Sequence, residues 1–307
     1  MAGQNQSILQ HRPIDKRLVE VHLAANKAED VMPQHDLQDY LFDLNGYLII
    51  KDALDPAHLV QLNAAFDRFP DIGFKDWWGD VQRLDNNAKA GMELQNIVHA
   101  GKPFEDLIDH PAWVDRMRRY CGEDQTWIPG LFIDECFASI RRSGGFFPMH
   151  SGGQERAIRN QYSYVDGRWQ CGQVNILVAL TDIGPGDGGT RVIPGSHKSN
   201  FAHPIFDRPY AERCKLDDED VEGSIEVHLR AGSALLFADA ISHGATRRIT
   251  PGERRVVIYR YGPGWGNTRY GYRYSQELLD RVSPAQRAIL QPVAPRVPGS
   301  ILGLQRG

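Results

Sequence analysis

The sequence predicts a mainly β protein with flanking helices, an α+β chain whose core is an antiparallel sandwich or jelly roll. Beyond Gly122 the chain consists of short segments rich in β-branched or aromatic residues, separated by Gly and Pro. No helical pattern lies between these segments, so consecutive strands have no crossover helices and are expected to pair antiparallel. Patterns typical of helices occur only before this region and after it.

The N-terminal part begins with a polar stretch, residues 1–35, that we expect to be a poorly packed lead-in. The stretch NGYLIIKDAL then predicts a short strand. DPAHLVQLNAAFDRF predicts an amphipathic helix, because Asp55 is placed to cap it and Pro56 occupies its first position. A strand followed by a helix is therefore expected before the β-rich region.

Residues 70–100 show no periodicity, although Trp77 and Trp78 are crowded there with Asn86 and Asn87. The segment predicts an irregular insertion, either a wandering surface loop or a lid over the barrel mouth, with a mobile cover expected from Phe74 to Met92. KPFEDLIDHPAWVDRMRRYCG follows and predicts a helix that is interrupted near Pro111 and ends at Gly122.

The β-rich region supplies the predicted core strands. They are LFIDECFASIRR, GQVNILVAL, GTRVIP, SIEVHL, SALLFADAISHGA and ERRVVIYRYG. The C-terminal residues predict a short helix and a Pro-rich tail. We expect a single domain over 1–307, with a helical N-terminal part at 36–122, the jelly-roll core at 123–262 and a C-terminal extension at 263–307.

Composition favours a small-molecule partner. The formal net charge is −4, and Lys and Arg are spread along the chain, which argues against nucleic acid and membrane binding. The four cysteines show no CxxC pairing, and the N-terminus lacks the apolar region of a signal peptide, so we expect a reducing, cytoplasmic setting. A homo-oligomer stays open at this point.

Three motifs are set aside. GPGDGG matches the glycine pattern of dinucleotide sites, but a β-branched pair and a proline follow it where a helix should open, so it predicts a turn. DDED lacks the glycine and closing glutamate of a calcium loop and predicts a solvated turn. Ser196 in PGSH lacks the strand-to-helix elbow of a serine nucleophile.

Two of the eleven histidines stand out from the rest. His150 ends the apolar run GGFFPM, and His243 ends the segment SALLFADAISH; small residues follow each of them. A jelly roll can bring two such residues together at the barrel mouth, where neutral imidazoles bind a first-row transition metal. Taken singly, each histidine also fits a structural role.

The stretches VALTDIGPGDGGTRVIPGSHKSN and RAGSALLFADAISHGATRRITPGERR resemble the phytanoyl-CoA dioxygenase family, and the similarity extends over most of residues 40–262. The resemblance implies a double-stranded β-helix, the cupin-like jelly roll, in an enzyme that uses Fe(II), 2-oxoglutarate and O2. It implies that His150 and His243 are the proximal and distal metal ligands. Arg254, eleven residues after His243, would pair with the distal carboxylate of 2-oxoglutarate.

The sequence departs from the family where an acid should stand two residues after the proximal histidine, because that position is Gly152. We therefore rank three hypotheses: a hydroxylase acting on a small organic molecule, a radical halogenase in which chloride takes the vacated coordination position, and a non-catalytic binding protein. Asp239 and Glu155 stay open as replacement metal ligands or as partners of a histidine. Gln173 and Asn175 share one strand face and are candidates for binding the cosubstrate.

Overall fold

The computed structural model of the chain describes residues 36–85, 91–121, 130–153, 155, 157–213, 221–266 and 272–292. By internal contacts, Leu37–Gly307 forms one compact unit and Met1–Asp36 another, of which only Asp36 is described. The expected lead-in, residues 1–35, thus lies outside the described residues. The division of the chain into one oxygenase domain with flanking parts stays a prediction.

Two antiparallel sheets form the core of the described chain. The larger sheet has eight strands in the order β1-β12-β9-β14-β5-β4-β3-β2. Its strands are β1 (Tyr47–Ile50), β2 (Trp77–Trp78), β3 (Val81–Arg83), β4 (Gly91–Gln95), β5 (Leu131–Arg141), β9 (Val174–Ala179), β12 (Ala234–Ala238) and β14 (Arg254–Pro263). Long central strands with β-branched and aromatic residues fit this pleated, buried position.

The smaller sheet has four strands in the order β11-β10-β13-β6. They are β6 (Phe147–His150), β10 (Thr190–Val192), β11 (Ile225–Val227) and β13 (His243–Ala245). A separate hairpin pairs β7 (Tyr164–Val165) with β8 (Arg168–Trp169). The two antiparallel sheets, with helices at the flanks, confirm the predicted fold class.

Helices lie before, between and after the strands. They are α1 (Leu37–Asn45), α2 (Pro56–Phe66), α3 (Lys102–Glu105), α4 (Val114–Cys121), α5 (Tyr210–Arg213), α6 (Gln276–Arg281) and α7 (Pro284–Leu290). The side chain of Asp55 accepts hydrogen bonds from the amides of Ala57 and His58, which confirms the predicted cap of α2. The interruption expected near Pro111 is the gap between α3 and α4, while Gly122 lies outside the described residues.

The segment 70–100 is not the irregular insertion that the sequence predicted. Within it, β2, β3 and β4 extend the larger sheet from the edge of β5, with Glu93 opposite Ser139 in the register. Strands of two to five residues are too short to show a clear alternation, which is why the pattern was missed. Asn86 and Asn87 lie outside the described residues, and the role of the segment as a mobile cover stays a prediction.

The segment SALLFADAISHGA is two strands and not the single strand that was predicted. β12 lies in the larger sheet and β13 in the smaller one, and the chain crosses between the sheets at residues 239–242. Ala240 and Ile241 within this crossing are fully buried, so the apolar pattern continues through the turn. The crossing removes the separation of about 13 Å that a regular strand would impose between Asp239 and His243 at roughly 3.3 Å per residue.

The remaining sequence motifs are a glycine-rich turn, an acidic stretch and the C-terminal segment. GPGDGG is a turn, as predicted, in which the Asp187 carboxylate accepts a hydrogen bond from the Gly184 amide. The predicted C-terminal helix is instead the pair α6 and α7, and Ser283 and Gln286 form a capping box between them. All of DDED and the residues beyond 292 lie outside the described chain. No helix among the described residues is long and apolar enough to span a membrane.

Candidate active site

The pairing of β6 with β13 places His150 directly opposite His243. Both are the strand-terminal residues that the sequence singled out, and their ring centroids are 4.1 Å apart. The ring of Phe237 on β12 packs edge-on against His243 at 5.0 Å, and that of Phe147 packs against His150 at 4.9 Å. Two imidazoles far apart in the sequence therefore lie side by side, held by aromatic neighbours.

Each imidazole is oriented by its own backbone. The Nδ1 of His150 lies 3.1 Å from the carbonyl oxygen of Pro148, and the Nδ1 of His243 lies 2.7 Å from that of Ile241. A carbonyl only accepts, so Nδ1 carries the proton in both rings and Nε2 keeps its lone pair. This is the tautomer that a metal-binding histidine needs.

Burial keeps both rings neutral. It lowers the pKa of His150 well below the usual value, and the neighbouring His243 acts in the same direction. Burial also lowers the pKa of His243, to about 4, although the carboxylate of Asp239 opposes the shift. A neutral ring does not need to lose a proton before it coordinates a metal, so the pair is ready for a cation at neutral pH.

A cavity of ≈ 90 Å³ lies between the sheets and contains both histidines in its wall. The smaller sheet contributes the imidazoles, and the larger sheet contributes charged side chains. The lining residues are Glu93, Phe137, Ser139, Arg141, Phe147, His150, Leu177, Thr190, Phe237, His243, Gly244, Ala245, Arg254, Ile258 and Arg260. The cavity thus brings the pair of imidazoles and a cluster of guanidinium groups to one place.

Arg254, at the start of β14, is 3 % exposed and lines this cavity. One of its terminal nitrogens donates to the carbonyl oxygen of Gly188, while its Nε has no hydrogen-bond partner among the described residues. Burial lowers the pKa of Arg254 well below its usual value, and the nearby Arg141 and Arg248 add to this effect. A buried arginine under these conditions fits a carboxylate ligand that restores its countercharge. Arg255 points to the other face, where it pairs with Asp67 at 2.7 Å.

Asp239 is fully buried beside the histidines. One carboxylate oxygen accepts a hydrogen bond from Arg159, and the other accepts one from the Asn175 amide at 2.9 Å. Arg260 lies 3.8 Å away. Guanidinium groups therefore balance the charge of this carboxylate, which can stay ionised beside the histidines.

Glu155 lies on the loop after β6 and bonds to Asn160. Its carboxylate is also 3.9 Å from Arg159. In the part of the chain that the structure describes, no three His, Cys, Asp or Glu side chains form a group that could hold a metal ion. Neither Asp239 nor Glu155 thus completes a three-residue cluster with the histidine pair.

The backbone after His150 explains the departure at Gly152. Ser151 has a φ of 61°, and Gly152 has a φ of 148°, a region that residues with a side chain rarely adopt. An aspartate at residue 152 would be strained on this backbone. The residues present therefore fit two imidazole ligands and a carboxylate held by Arg254, and they leave the family's acid position without a side chain.

Gln173 and Asn175 are both buried, and each has a carboxylate partner. The amide of Gln173 donates to Asp134 at 2.9 Å, and that of Asn175 donates to Asp239. Neither belongs to the lining of the cavity around the histidines. A direct role in binding the cosubstrate stays a prediction, and the contacts favour a role for Asn175 in orienting Asp239.

Three charged residues of the cavity wall were missed from the sequence: Glu93, Arg141 and Arg260. Glu93 was hidden in the segment that appeared irregular. Arg260 is six residues after Arg254 on β14, so the alternation of that strand could have placed both on one face. Arg141 is the register partner of Arg254 on β5, which only the sheet order reveals.

Comparison with known proteins identifies relatives over most of the chain. The family model of phytanoyl-CoA dioxygenase (PhyH) matches residues 42–256. An ectoine dioxygenase of Nocardia farcinica is 26% identical over 248 residues, which cover 73% of this chain and 76% of the relative. The dioxygenase FUM3 of Gibberella moniliformis is 35% identical over 226 residues, covering 68% of this chain and 66% of the relative.

Solved structures show the same fold. HygX from Streptomyces hygroscopicus, with nickel and 2-oxoglutarate bound, has a TM-score of 0.63 and 23% identity, and the match covers 80% of this chain and 93% of HygX. A further structure of HygX also contains hygromycin B and matches with a TM-score of 0.62. With the family model matched over residues 42–256, the chain belongs to the phytanoyl-CoA dioxygenase family of Fe(II)- and 2-oxoglutarate-dependent dioxygenases.

Proposed function

We propose that this enzyme hydroxylates a small organic molecule. In the balanced reaction, substrate C–H, O2 and 2-oxoglutarate give substrate C–OH, succinate and CO2. The observation that supports the proposal is the pair of buried, neutral imidazoles that share a cavity with the buried Arg254. That combination provides for a metal and for a dicarboxylate within one enclosure.

Each group of the site has a distinct task. The Nε2 atoms of His150 and His243 would hold the metal, and Arg254 would bind the distal carboxylate of 2-oxoglutarate. When bound, the iron and the cosubstrate together supply the oxidising chemistry. The chain itself orients the reactants, and apolar cavity residues such as Phe137, Leu177 and Phe237 exclude water from them.

A second candidate function, radical halogenation, is favoured by one specific observation. The position of the family's acid is Gly152, on a backbone that disfavours any side chain, and no third acid joins the histidines among the described residues. A chloride ion could take the vacated coordination position, since no carboxylate there would repel it. We rank halogenation below hydroxylation because it rests on a single position. A non-catalytic binding protein is the third candidate.

An anaerobic titration with Fe(II) and 2-oxoglutarate tests the first proposal. We expect the visible charge-transfer band of a chelated 2-oxo acid to appear in the wild type and to be lost in His150→Ala. Absence of the band in the wild type would contradict the proposal and favour the binding protein. Repeating the titration with and without chloride separates the two catalytic candidates, because a band that shifts with chloride supports coordination of the halide.

The setting of the enzyme is part of the proposal. Cys121, Cys136 and Cys171 are free and buried, which supports action in a reducing compartment such as the cytoplasm. The proposed partner is a small molecule, with neither nucleic acid nor membrane involved, in keeping with the net charge of −4. Size-exclusion chromatography with light scattering would decide whether the enzyme forms a homo-oligomer.

A further inference from the structure

We propose that Ser196, in the PGSHK motif, is a positioning residue that fixes the two metal-binding histidines relative to each other. The role rests on the proposed function, since it concerns the metal that His150 and His243 would hold. Ser196 begins the short 3-10 turn Ser196–Lys198, is 8 % exposed, and is not part of the cavity lining. It acts through the backbone segments that carry the histidines.

The first of these segments is the loop that follows His150. The backbone carbonyl of Ser196 accepts a hydrogen bond from the amide of Gly153 at 2.9 Å. A Cβ added at Gly153 would lie 2.3 Å from the carbonyl oxygen of His197, so only glycine allows this close approach. The loop after the proximal histidine is therefore pressed against the turn that contains Ser196.

The second segment is the crossing that leads into His243. The Ser196 hydroxyl accepts a hydrogen bond from the amide of Ser242 at 2.8 Å and donates its own proton to the carbonyl of Ile193 at 2.6 Å. The carbonyl of Ser242 accepts in turn from the Ile193 amide at 2.9 Å. One hydroxyl thus accepts from Ser242, directly before His243, and donates to Ile193, a pairing that alanine cannot reproduce.

A direct link closes the connection between the two segments. The Ser242 hydroxyl donates to the carbonyl of Ser151 at 3.1 Å. Ser151 directly follows His150, and Ser242 directly precedes His243. Ser196 and Ser242 therefore form a small buried hydrogen-bond network that spans both ligand-bearing segments.

The turn itself is fixed to the C-terminal end of α1. The amide of Gly195 donates to the Asn45 carbonyl at 2.9 Å, and the Nε2 of His197 donates to the Asp43 carbonyl at 3.0 Å. These contacts satisfy carbonyl groups that the end of a helix leaves without partners. Burial lowers the pKa of His197 to about 4, which keeps the ring neutral in this role. The network thus has a rigid base.

Rigidity matters more at this site than at one with three protein ligands. The described residues offer two imidazoles and no clustered acid, so no third protein ligand helps to fix the separation of the two nitrogens. A loose pair would have to be ordered by the metal, at a cost in binding free energy. Ser196 removes part of that cost by holding Gly153 and Ser242 before any metal arrives.

Metal titration of the full-length protein tests this role with Ni(II) as the probe and without 2-oxoglutarate. We expect Ser196→Ala to weaken the Ni(II) affinity about 10-fold or more, the range seen when groups that orient metal ligands are removed. Ser196→Thr keeps the hydroxyl and should restore most of the affinity. The matched control is Ser199→Ala in the same turn, since the Ser199 hydroxyl contacts only local backbone at Phe201 among the described residues.

The thermal unfolding midpoint of each metal-free variant separates positioning from general stability. The proposal requires that Ser196→Ala lose more Ni(II) affinity than another variant whose thermal unfolding midpoint is lowered by the same amount. An unchanged Ni(II) affinity in Ser196→Ala would overturn the proposed role of Ser196 without affecting the proposed function. Absence of Ni(II) binding by the wild type would overturn the proposed function and this role with it. If Ser196→Ala does not fold, Ser242→Ala decides, because a smaller loss of affinity is expected there and no loss would contradict the network.

Discussion

The two walls of the cavity differ in charge and in construction. The smaller sheet presents His150 and His243 on strands of four and three residues, respectively, and burial keeps both rings neutral. The larger sheet presents Arg254 and Arg260 on β14, a strand of ten residues, with Arg141 on the neighbouring β5 and Glu93 on β4 beyond it. Two neutral imidazoles therefore face a wall of ionisable groups.

The difference shows how the site divides its tasks. β6 ends at His150 and β13 begins at His243, so the chain leaves the smaller sheet directly beside each imidazole. Long strands carry several inward-facing side chains at intervals of two residues, which suits recognition of an extended anion. Metal binding should thus depend on the smaller sheet, and binding of the dicarboxylate should depend on the larger one.

Replacing either histidine of the smaller-sheet wall should have the largest effect, which is a loss of metal affinity. We expect His150→Ala and His243→Ala each to lower the affinity for Fe(II) or Ni(II) about 1000-fold, because half of the protein ligand set is lost. Calorimetric titration under anaerobic conditions measures this. His203, which lies near the surface and bonds to the Glu222 carbonyl, provides the control in His203→Ala. A histidine variant with wild-type metal affinity would show that the pair does not bind the metal.

Replacing Arg254, on the larger-sheet wall of the cavity, should weaken binding of the cosubstrate and not that of the metal. Arg254→Ala is expected to weaken 2-oxoglutarate binding about 100-fold, as the loss of a buried charge-assisted hydrogen bond implies, and to leave the Ni(II) affinity nearly unchanged. Titration of 2-oxoglutarate into the Ni(II)-loaded protein measures the change. Arg255→Ala, on the opposite face of β14, is the matched control. Equal cosubstrate affinity in both variants would remove Arg254 from the site.

The larger-sheet wall should also make the stability of the protein depend on pH, because it contains Glu93. Burial raises the pKa of Glu93 from 4.5 to about 8, and the nearby Glu135 adds to the rise. A raised carboxyl pKa gives stability that is fully present below pH 4.5 and is lost as the pH rises through about 8. Glu93→Gln should therefore lose less stability than the wild type between pH 5 and pH 9, by at most about 4 kcal/mol.

Urea unfolding at pH 5 and pH 9 checks the prediction for Glu93. The difference in unfolding free energy between the two pH values should be smaller in Glu93→Gln than in the wild type. Glu222→Gln changes an exposed glutamate and should leave the difference as it is. Identical pH dependence in the wild type and in Glu93→Gln would show that the carboxyl group is ionised in the folded protein at neutral pH.

The smallest expected effect concerns the backbone beside the neutral wall. Gly152→Asp should destabilise the protein by about 1 kcal/mol, because residue 152 has a φ of 148°. Gly152→Ala carries the same backbone strain without the charge and serves as the reference in thermal unfolding. If Gly152→Asp is as stable as the wild type and binds Ni(II) more tightly, the loop can rearrange to offer an acid, and the contrast between the walls would be weaker than proposed.

The sequence predicted the long strands well because their composition is unambiguous. β5, β9 and β14 are long apolar segments that include several β-branched and aromatic residues, and tertiary packing agrees with that local preference. β2 and β3 failed because two or three residues cannot display a period. The crossing at residues 239–242 failed because it is buried, so that its apolar residues imitate a continuing strand.

Some residues of the candidate site could be predicted from the sequence, and others depend on the sheet order and on loop contacts. His150, His243 and Arg254 could be found because each stands in a motif with fixed spacing. Glu93, Arg141 and Arg159 could not, because their places depend on which strands are neighbours in the sheet and on loop contacts. The orienting role of the Nδ1 bonds was also beyond the sequence, since their acceptors are backbone carbonyls that every residue carries.

The short crossing from β12 to β13 bears on how molecules reach the metal. Only residues 239–242 separate a strand of one sheet from a strand of the other. Backbone hydrogen bonds hold both ends of this link, from the Asp239 amide to Gln173 and from the Ile193 amide to Ser242. Each bond joins segments of the same sheet, so the shortness of the four-residue link is what limits how far the two sheets can separate. We therefore expect dioxygen and substrate to enter, and product to leave, through the open rim of the barrel, so that turnover is paced by loop and side-chain motion there.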